Sequence, residues 1–578
     1  MTGTIGGFTS PLGEKDGEII RTPLGSIHDS HVYVLIILVA CIVFGKSVFY
    51  QYTYYDDTRL LVVNQKILSN FANIPKLFQT DVFLSVASPQ LFYRPFLNLV
   101  FMVELHISSG STEIFHITNI LLHIGCSILL FIVFQQLGVS KPIAAATALL
   151  FCAHPLNASA VVWIPGRNDT LLTFLVLASF SLFLRALETK NIFPLIGHLL
   201  LFFLALLTKE SAIVLPLFSL GYMFFVRKEH YGYRTNIVTA VGYAASLTLW
   251  YFLRSMVTGG IGMHESLVAF VNHVTKNSPS LVLYIGKAFL PFNLSVFPNL
   301  TDHSLVLGIV TIFCFLAILL IRKPLRYREI AWGLIWSFLF LAPTLISGVI
   351  RYEHRAYCSF IGLLFAIVHL SPVRSLDFSK KTTLLGFVAI LTLYSLLAML
   401  HSEHFHNRTA FATTAYVKDP SVDASAASLA DLFLDEGNNE AAEHVLQAAI
   451  AREPDMKFVH RLLGDVYANR QEYTLAAKEY ETSIRVDPLQ VYAYIDYGKM
   501  CMKIGQNDKA ARLWKQSVVI NPEFIIGYEY LATFYAYVKN DPDSAMIYAR
   551  QIQQHGSTVM PELLAAIMKN PLYGRKNQ

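Results

Sequence analysis

A pair of adjacent carboxylates follows the first long apolar run of the chain. In the segment YYDDTRLLVVNQKI, Asp56 and Asp57 stand side by side. Neighbouring carboxylates repel each other, which can raise the pKa of one of them and leave a base near neutrality. An isolated pair of this kind is more typical of a solvated acidic loop. The catalytic interpretation therefore depends on what the fold brings next to the pair.

Four further short segments carry charged and polar residues beside apolar runs. The segments are YRP, HPLNASAVVWIPGRND, LLTKES and RYEHRAY, and their candidate site residues are Tyr93, Arg94, His154, Arg167, Asp169, Lys209, Glu210, Glu353, His354 and Arg355. Ionisable groups in or beside membrane segments are costly, so they are functional candidates by default. Guanidinium groups bind phosphate oxygens in a bidentate fork, and an ammonium adds a point charge. The candidate phosphate ligands at the membrane surface are Arg94, Arg167, Lys209 and Arg355.

Each of these residues also has a structural interpretation. Lys209 and Glu210 could form a local ion pair, and Arg94 and Arg167 could extend to lipid headgroups. His154 could cap a helix that breaks before the following proline. A site is therefore indicated by the convergence of these segments and not by any one residue.

The segment HITNILLH presents three polar side chains at helical spacing. His116, Asn119 and His123 would lie on one face of a helix, where such groups form hydrogen bonds between membrane helices. No carboxylate completes a metal site with them, and the six cysteines show no metal-ligand spacing. Nothing in the sequence therefore demands a metal.

The composition indicates a membrane protein with a soluble tail. Of 578 residues, 54% are hydrophobic and only 15% are charged, with a mean hydropathy of +0.47. This is too apolar for one soluble globular chain, but the sequence after His401 reads as ordinary soluble helix. The net charge of +5 comes from basic residues in short loops, which indicates topology signals and disfavours nucleic-acid binding.

The apolar runs predict about eleven membrane crossings. They are 31–50, 113–137, 142–164, 169–187, 192–208, 211–227, 235–254, 302–322, 329–349, 355–372 and 382–400. The charged stretches 93–107 and 281–297 are better explained as helices at the membrane interface. With residues 1–30 as a cytoplasmic tail, the basic short loops, including Lys228, Arg322 and Lys323, all fall inside, as the positive-inside rule requires.

An odd number of crossings places the candidate segments on one face. Loop 51–112, the segments around 165–169 and 351–355 and the C-terminal tail then lie together on the far side, which is the lumen of the endoplasmic reticulum or the bacterial periplasm. The membrane domain spans 31–403.

The tail carries an internal repeat of 34 residues. Pro454, Pro488 and Pro522 recur at this spacing, which is the tetratricopeptide period. The repeat domain, 420–570, is predicted to hold about three units, or four with a degenerate unit near 425–450 and a capping helix near 543–555. Tyrosines of the repeats are interpreted as core. Arrays of this kind bind extended peptides or partner proteins, and they do not catalyse reactions.

The order of the motifs resembles one enzyme family. YDD with a following Asn64, then YRP, HPLN…WIPGRND, LLTKES, PFNLSVFP and EHRAY, followed by tetratricopeptide repeats, is similar to the transmembrane-and-tetratricopeptide protein O-mannosyltransferases and their bacterial relatives. These belong to the GT-C class of glycosyltransferases. The resemblance implies an all-α polytopic bundle followed by an α-solenoid, a catalytic Asp56 or Asp57, and a polyprenyl- or dolichyl-phosphate sugar donor, usually mannose. The EHRAYCSF segment departs from the usual Tyr-Leu-Pro continuation.

The sequence leads to one main hypothesis and two alternatives. In the first, a carboxylate takes the proton from a Ser or Thr hydroxyl as it attacks the anomeric carbon with inversion, without a required cofactor, and acceptor proteins bind the array. In the second, the same chemistry acts on a lipid-linked glycan or cell-wall polymer. In the third, the chain is a non-catalytic scaffold that anchors the repeats in the lipid bilayer.

Overall fold

A computed structural model describes the fold. It describes residues 20–22, 25–84, 92–108, 110–227, 233–258, 267–297, 304–321, 326–346, 352–522, 524–554, 559–570 and 573. Most of the tail 1–30 and the basic residues Lys228, Arg322 and Lys323 lie outside these ranges. Two short strands, Ile20–Thr22 and Gly25–Ile27, pair antiparallel near the N-terminus, and they are the exception to an otherwise helical described chain.

The first 403 residues form nineteen α-helices within the described ranges, with short 3-10 and π-helices between them. They are α1 Asp29–Phe44, α2 Gln65–Leu68, α3 Ile74–Leu77, α4 Pro95–Ser108, α5 Glu113–Gln136, α6 Lys141–Ala153, α7 Ala158–Val162, α8 Arg167–Thr189, α9 Ile192–Leu206, α10 Leu215–Gly221, α11 Tyr233–Thr258, α12 Leu267–Asn277, α13 Pro279–Phe289, α14 Ser304–Ile321, α15 Tyr327–Leu341, α16 Pro343–Ile346, α17 Tyr357–Val368, α18 Ser371–Arg374 and α19 Lys381–Ser402. Each stretch predicted to cross the membrane contains a helix. The two predicted interface stretches also form helices, α4 and α13.

The lengths of these helices distinguish clear spans from shorter ones. Five described helices are long and apolar enough to cross a membrane, and the bent pair Lys141–Ala153 and Pro155–Val162 makes a sixth if it is one span. Four shorter apolar helices complete the set: Pro95–Ser108, Ile192–Leu206, Glu210–Val226 and Leu305–Ile321. The predicted count of about eleven crossings and the assignment of the two faces stay predictions.

The tail forms an array of paired helices. They are α20 Arg408–Lys418, α21 Asp423–Asp435, α22 Asn439–Arg452, α23 Lys457–Asn469, α24 Tyr473–Val486, α25 Val491–Lys503, α26 Asn507–Ile520, α27 Ile525–Tyr537, α28 Pro542–Gln554 and α29 Pro561–Lys569. From α21 to α28 these make four helical pairs, so the degenerate first unit is a real pair. The predicted capping helix is instead the second helix of the fourth pair, and α29 packs after it.

Close packing explains the small residues of the repeat. A Cβ atom on Gly464 would lie 2.8 Å from the Tyr480 ring, so the two helices of this pair approach too closely for any side chain there. Tyr480, Tyr494 and Tyr528 are buried as the sequence predicted, whereas Tyr492 is 38% exposed.

The array begins against the membrane domain and not at the end of a linker. Phe405, Phe411, Ala415 and Ala424 belong to the same buried apolar core as the helices before residue 403. Helix α20 therefore packs directly on the membrane domain, and the described chain continues from α19 into the array without an extended break.

Candidate functional site

Asp57 lies in a closed network just after the first apolar helix. The backbone N–H and the hydroxyl of Thr53 donate to Asp57 Oδ2 at 2.6 and 2.5 Å. Trp163 Nε1 donates in turn to Thr53 Oγ1 at 3.1 Å. The Asp57 side chain is only 1% exposed, and burial raises its pKa to about 7 against the lowering effect of the Thr53 hydrogen bonds.

This raised pKa predicts how stability responds to pH. Because folding raises the pKa of Asp57 from 3.8 to about 7, its contribution to stability is full below pH 3.8 and is lost as pH rises through about 7. Asp57→Asn is therefore expected to be more stable than the parent above pH 7, by at most about 4 kcal/mol, and equal to it near pH 4. Thermal unfolding across this range measures the difference. Asp455→Asn, at an exposed carboxylate, should leave the pH dependence unchanged, and a parallel shift of Asp57→Asn at all pH values would contradict the assignment.

Asp56 occupies a more open and more cationic position than its neighbour. Its side chain is half-buried, and burial raises its pKa, while Arg59, Arg355 and Arg94 lie close enough to oppose that rise. The two carboxylates therefore face different surroundings, although they are adjacent in sequence.

Arg94, immediately before α4, joins two other candidate segments. Its Nε and Nη2 atoms donate to Glu210 Oε2 at 3.1 and 3.0 Å, and Nη1 donates to Asn168 Oδ1 at 3.1 Å. The guanidinium also lies 4.5 Å from the Phe92 ring centroid. Segments more than 70 residues apart in sequence thus meet at one side chain.

Lys209 pairs with Asp169 and not with its neighbour Glu210. The Lys209 ammonium lies 2.7 Å from both oxygens of Asp169, which stands in the first turn of α8. His354 Nε2 is 4.0 Å from Asp169 Oδ2, and burial lowers the pKa of His354 well below its usual value. The alternative of a local Lys209–Glu210 pair is wrong, because the break between α9 and α10 directs the two side chains to different partners.

Arg167 is buried away from any open surface. Its side chain is fully buried, and its guanidinium pairs with Glu104, donates to Asn119 Oδ1 at 2.7 Å and donates to the Phe115 carbonyl. The glycine before it is required, since a Cβ atom on Gly166 would lie 2.6 Å from the Ser159 carbonyl oxygen. Arg167 does not extend to headgroups, and its polar groups are occupied by protein partners.

Polar residues of two other motifs hold helices together. His154 Nδ1 accepts from the Leu156 N–H at 3.2 Å at the 52° bend after α6, which confirms the helix-cap interpretation. Asn119 donates to the Val161 carbonyl at 3.0 Å, and His123 bonds the Tyr357 hydroxyl at 2.5 Å. These contacts confirm hydrogen bonding between helices for Asn119 and His123.

Glu353 anchors the turn that carries His354 and Arg355. Its Oε1 atom lies 2.9 Å from Lys287 Nζ of α13, and its Oε2 atom lies 3.2 Å from His401 Nε2. Burial alone would raise the pKa of Glu353, but the charge of Lys287 and the contact with His401 hold it at about 2. The Glu353 carboxylate is therefore structural, and it fixes Arg355 close to Asp56.

The remaining two candidates pack the first loop. Asn64 Nδ2 donates to the Arg59 and Phe83 carbonyls, each at 2.7 Å, and the Tyr93 hydroxyl donates to the Phe78 carbonyl at 3.3 Å. Both side chains are fully buried. They hold the loop between α1 and α4 in shape.

Several residues of the site were missed by the sequence reasoning. Arg59 follows Asp56 by three residues in DDTR, a spacing that would have placed it beside the pair in a helical turn. Thr53 and Trp163 carry no charge, and nothing in the sequence marks them as partners of Asp57. Lys287 lies in the stretch 281–297, for which the sequence predicted only an interface helix.

The tail matches a known repeat family. The sequence profile of the tetratricopeptide repeat matches residues 428–488 and 461–523. Among solved structures, MamA is 20% identical over 25% of this chain and 84% of its own, with a TM-score of 0.22. The Cut9-Hcn1 hetero-tetramer of APC/C gives a TM-score of 0.28 at 14% identity, over 82% of this chain and 93% of its own. These scores are too low to carry an argument.

Several curated relatives are named protein O-mannosyl-transferases. Protein O-mannosyl-transferase TMTC4 of Homo sapiens is 29% identical over 26% of this chain and 23% of its own length. The TMTC3 protein of Mus musculus is 24% identical over 47% of this chain and 29% of its own length. The protein F38B6.6 of Caenorhabditis elegans is 26% identical over 36% of this chain and 29% of its own length. Each match spans less than a third of the relative. By sequence, the chain is similar, over part of its length, to the TMTC protein O-mannosyl-transferases.

Proposed function

We propose that this chain transfers a sugar, usually mannose in this family, from a polyprenyl or dolichyl phosphate to Ser or Thr hydroxyls of proteins. The names of its relatives support the activity. The observation that carries the proposal is the carboxylate pair Asp56–Asp57, with Arg59 from the same loop and Arg94 and Arg355 from two distant segments beside Asp56. Lys209, from a third distant segment, lies near the same two arginines. The reaction takes place at the far face of the endoplasmic reticulum membrane or bacterial inner membrane, where the array also lies.

Asp56 is the proposed general base. It is the more exposed of the two carboxylates, whereas both oxygens of Asp57 are buried in the loop. Asp56 takes the proton of the acceptor hydroxyl while the oxygen of that hydroxyl bonds to the anomeric carbon. The bond from the anomeric carbon to the phosphate oxygen breaks at the same time, so the electron pair leaves with the lipid phosphate and the configuration inverts.

The cationic cluster is suited to the leaving group. Arg59, Arg94, Lys209 and Arg355 carry four positive charges, and Asp56, Asp169 and Glu210 carry three negative ones. Positive charges in this position stabilise the lipid phosphate as its charge grows. We leave Arg167 out of this set, because Glu104, Asn119 and the Phe115 carbonyl occupy it.

Arg355→Met is expected to lower kcat/KM for the lipid-phosphate donor by about 10–100-fold, since a charge-assisted hydrogen bond contributes about 1.5–3 kcal/mol. The guanidinium lies over the Tyr352 ring at 5.3 Å and close to Asp56, so methionine keeps the packing but removes the charge. Steady-state kinetics with varied donor measures the change. Arg328→Met, at the predicted cytoplasmic end of α15, is the matched control. An unchanged kcat/KM in Arg355→Met would exclude this arginine from the donor site.

Purified full-length protein tests the function itself. It is supplied with a mannosyl lipid phosphate and a Ser/Thr-containing peptide, and the product is identified by mass spectrometry. A hexose on a Ser or Thr hydroxyl is the expected result. Transfer to a lipid-linked glycan instead would support the second hypothesis, and no transfer to any acceptor, with a folded protein, would support the scaffold.

A further inference from the structure

The first helix of the array forms one wall of the candidate site. Phe411 of α20 is only 1% exposed. Its ring centroid lies 5.9 Å from that of Tyr55 and 6.0 Å from that of Trp163. Phe297 and Phe405 contact the same ring at 5.4 and 5.9 Å. An aromatic side chain of α20, the helix that joins α19 to the repeat pairs, thus completes a buried cluster next to the carboxylate pair.

The two aromatic residues that Phe411 contacts both lead to the carboxylates. Tyr55 directly precedes Asp56, so the packing of its ring sets the path of that backbone. Trp163 donates to the Thr53 hydroxyl, and this hydroxyl donates to Asp57. The Phe411 ring is therefore linked to the backbone of Asp56 through Tyr55. It is linked to the carboxylate of Asp57 through Trp163 and the two hydrogen bonds of Thr53.

Both ends of α20 make further contacts, and one of these is with the loop that carries the carboxylates. The Arg408 guanidinium lies 5.9 Å from the Tyr54 ring and pairs with Asp431 and Asp435 of α21. At the other end, Lys418 Nζ donates to the Leu294 carbonyl at 2.5 Å. The helix is thus held at three points along its length.

The backbone next to the carboxylates needs such support. Tyr54 has a φ of 56°, in the left-handed region that costs a non-glycine residue about 1–2 kcal/mol. Strained residues persist when their surroundings over-determine them. The contacts of Arg408 with Tyr54 and of Phe411 with Tyr55 supply this support from the array.

We propose that Phe411 is a positioning residue: helix α20 holds the loop 53–57 in the shape that aligns the two carboxylates, so the array is a structural part of the site and not only a module that presents acceptors. The catalytic part of this inference rests on the proposed function. The structural part, that the array orders the loop, does not.

The test uses the full-length protein with Phe411→Ala and, as matched control, Phe534→Ala. Phe534 is an equally buried aromatic residue of α27, in the distal part of the array. Hydrogen exchange of the amides of residues 53–58 is expected to rise in Phe411→Ala alone. The kcat for transfer is expected to fall by about 100-fold, as for a misplaced catalytic group, while KM for the lipid donor changes less than threefold. Phe411→Leu keeps most of the apolar volume, so its amide exchange and its kcat should be close to those of the parent protein.

Hydrogen exchange and kcat together separate the ordering role of α20 from the proposed function. Faster exchange in Phe411→Ala, with no transfer activity in the parent protein, would reject the proposed function and support the ordering role. Normal exchange and normal kcat in Phe411→Ala would overturn the inference. If that variant does not fold, Trp163→Phe replaces it, because it removes the indole N–H bond to Thr53 and reduces the ring that Phe411 contacts. Unchanged exchange and kcat there would also overturn the inference.

Discussion

Asp56→Asn is expected to lower kcat for sugar transfer by about 10²–10⁴-fold, the range that a positioned general base contributes. Asparagine has nearly the same shape but cannot take a proton at neutral pH. Because Asp56 is the half-buried carboxylate beside Arg59, Arg94 and Arg355, its loss removes the base and leaves the phosphate cluster in place. Initial rates at saturating donor and acceptor measure the change, and KM for the donor should stay within a few-fold of the parent.

Asp57→Asn is the informative companion to this variant. Its amide oxygen can still accept from the Thr53 N–H and hydroxyl, so the loop keeps its shape. We expect a loss of only about tenfold in kcat, from the changed field at Asp56. Full activity in both variants would remove the carboxylates from the mechanism, and a larger loss in Asp57→Asn than in Asp56→Asn would reverse their roles.

Arg167→Met is expected to destabilise the fold by about 3–5 kcal/mol, because it leaves the carboxylate of Glu104 buried without its partner. The same change removes the hydrogen bond to Asn119 and so weakens the contact between α5 and α8. Thermal unfolding in detergent should show a clearly lower Tm. The double variant Glu104→Gln with Arg167→Met should recover part of the loss, since no buried charge then remains.

The kinetic behaviour of Arg167→Met distinguishes structure from donor binding. In the folded fraction, KM for the lipid-phosphate donor should equal that of the parent. Arg355→Met should show the opposite pattern, with a normal Tm and weaker use of the donor. A parent-like Tm together with a raised donor KM in Arg167→Met would return this arginine to the phosphate-binding set.

Local pattern was enough to predict the helices and the repeats. Apolar runs of sufficient length predicted where helices form, and the 34-residue spacing of prolines predicted paired helices in the tail. The sequence also pointed to His154 as a cap, since a proline after it must end the helix. In each case the signal lies within a short stretch of chain.

Partners across the chain were not predictable in this way. Lys209 pairs with Asp169, 40 residues away, and not with the adjacent Glu210, while Arg94 takes Glu210, 116 residues away. In sequence, Arg167 resembles the other candidate phosphate ligands, because it also stands beside an apolar run. Its position at the start of α8 nevertheless directs its side chain into the core. The local sequence shows which charged residues stand near a helix end, but the packing of several helices decides which of them form ion pairs.

By itself, the sequence determined an apolar helical domain, a soluble repeat array and a set of charged segments with a carboxylate pair among them, because composition and period are local properties. Only the tertiary structure decided that Asp57 is enclosed by Thr53 and Trp163 while Asp56 stays among cations. It also decided that Phe411 of α20 contacts Tyr55 and Trp163, the residues that lead to Asp56 and Asp57. Those contacts join segments separated by up to several hundred residues, and burial of apolar surface brings them together only when the whole domain is folded.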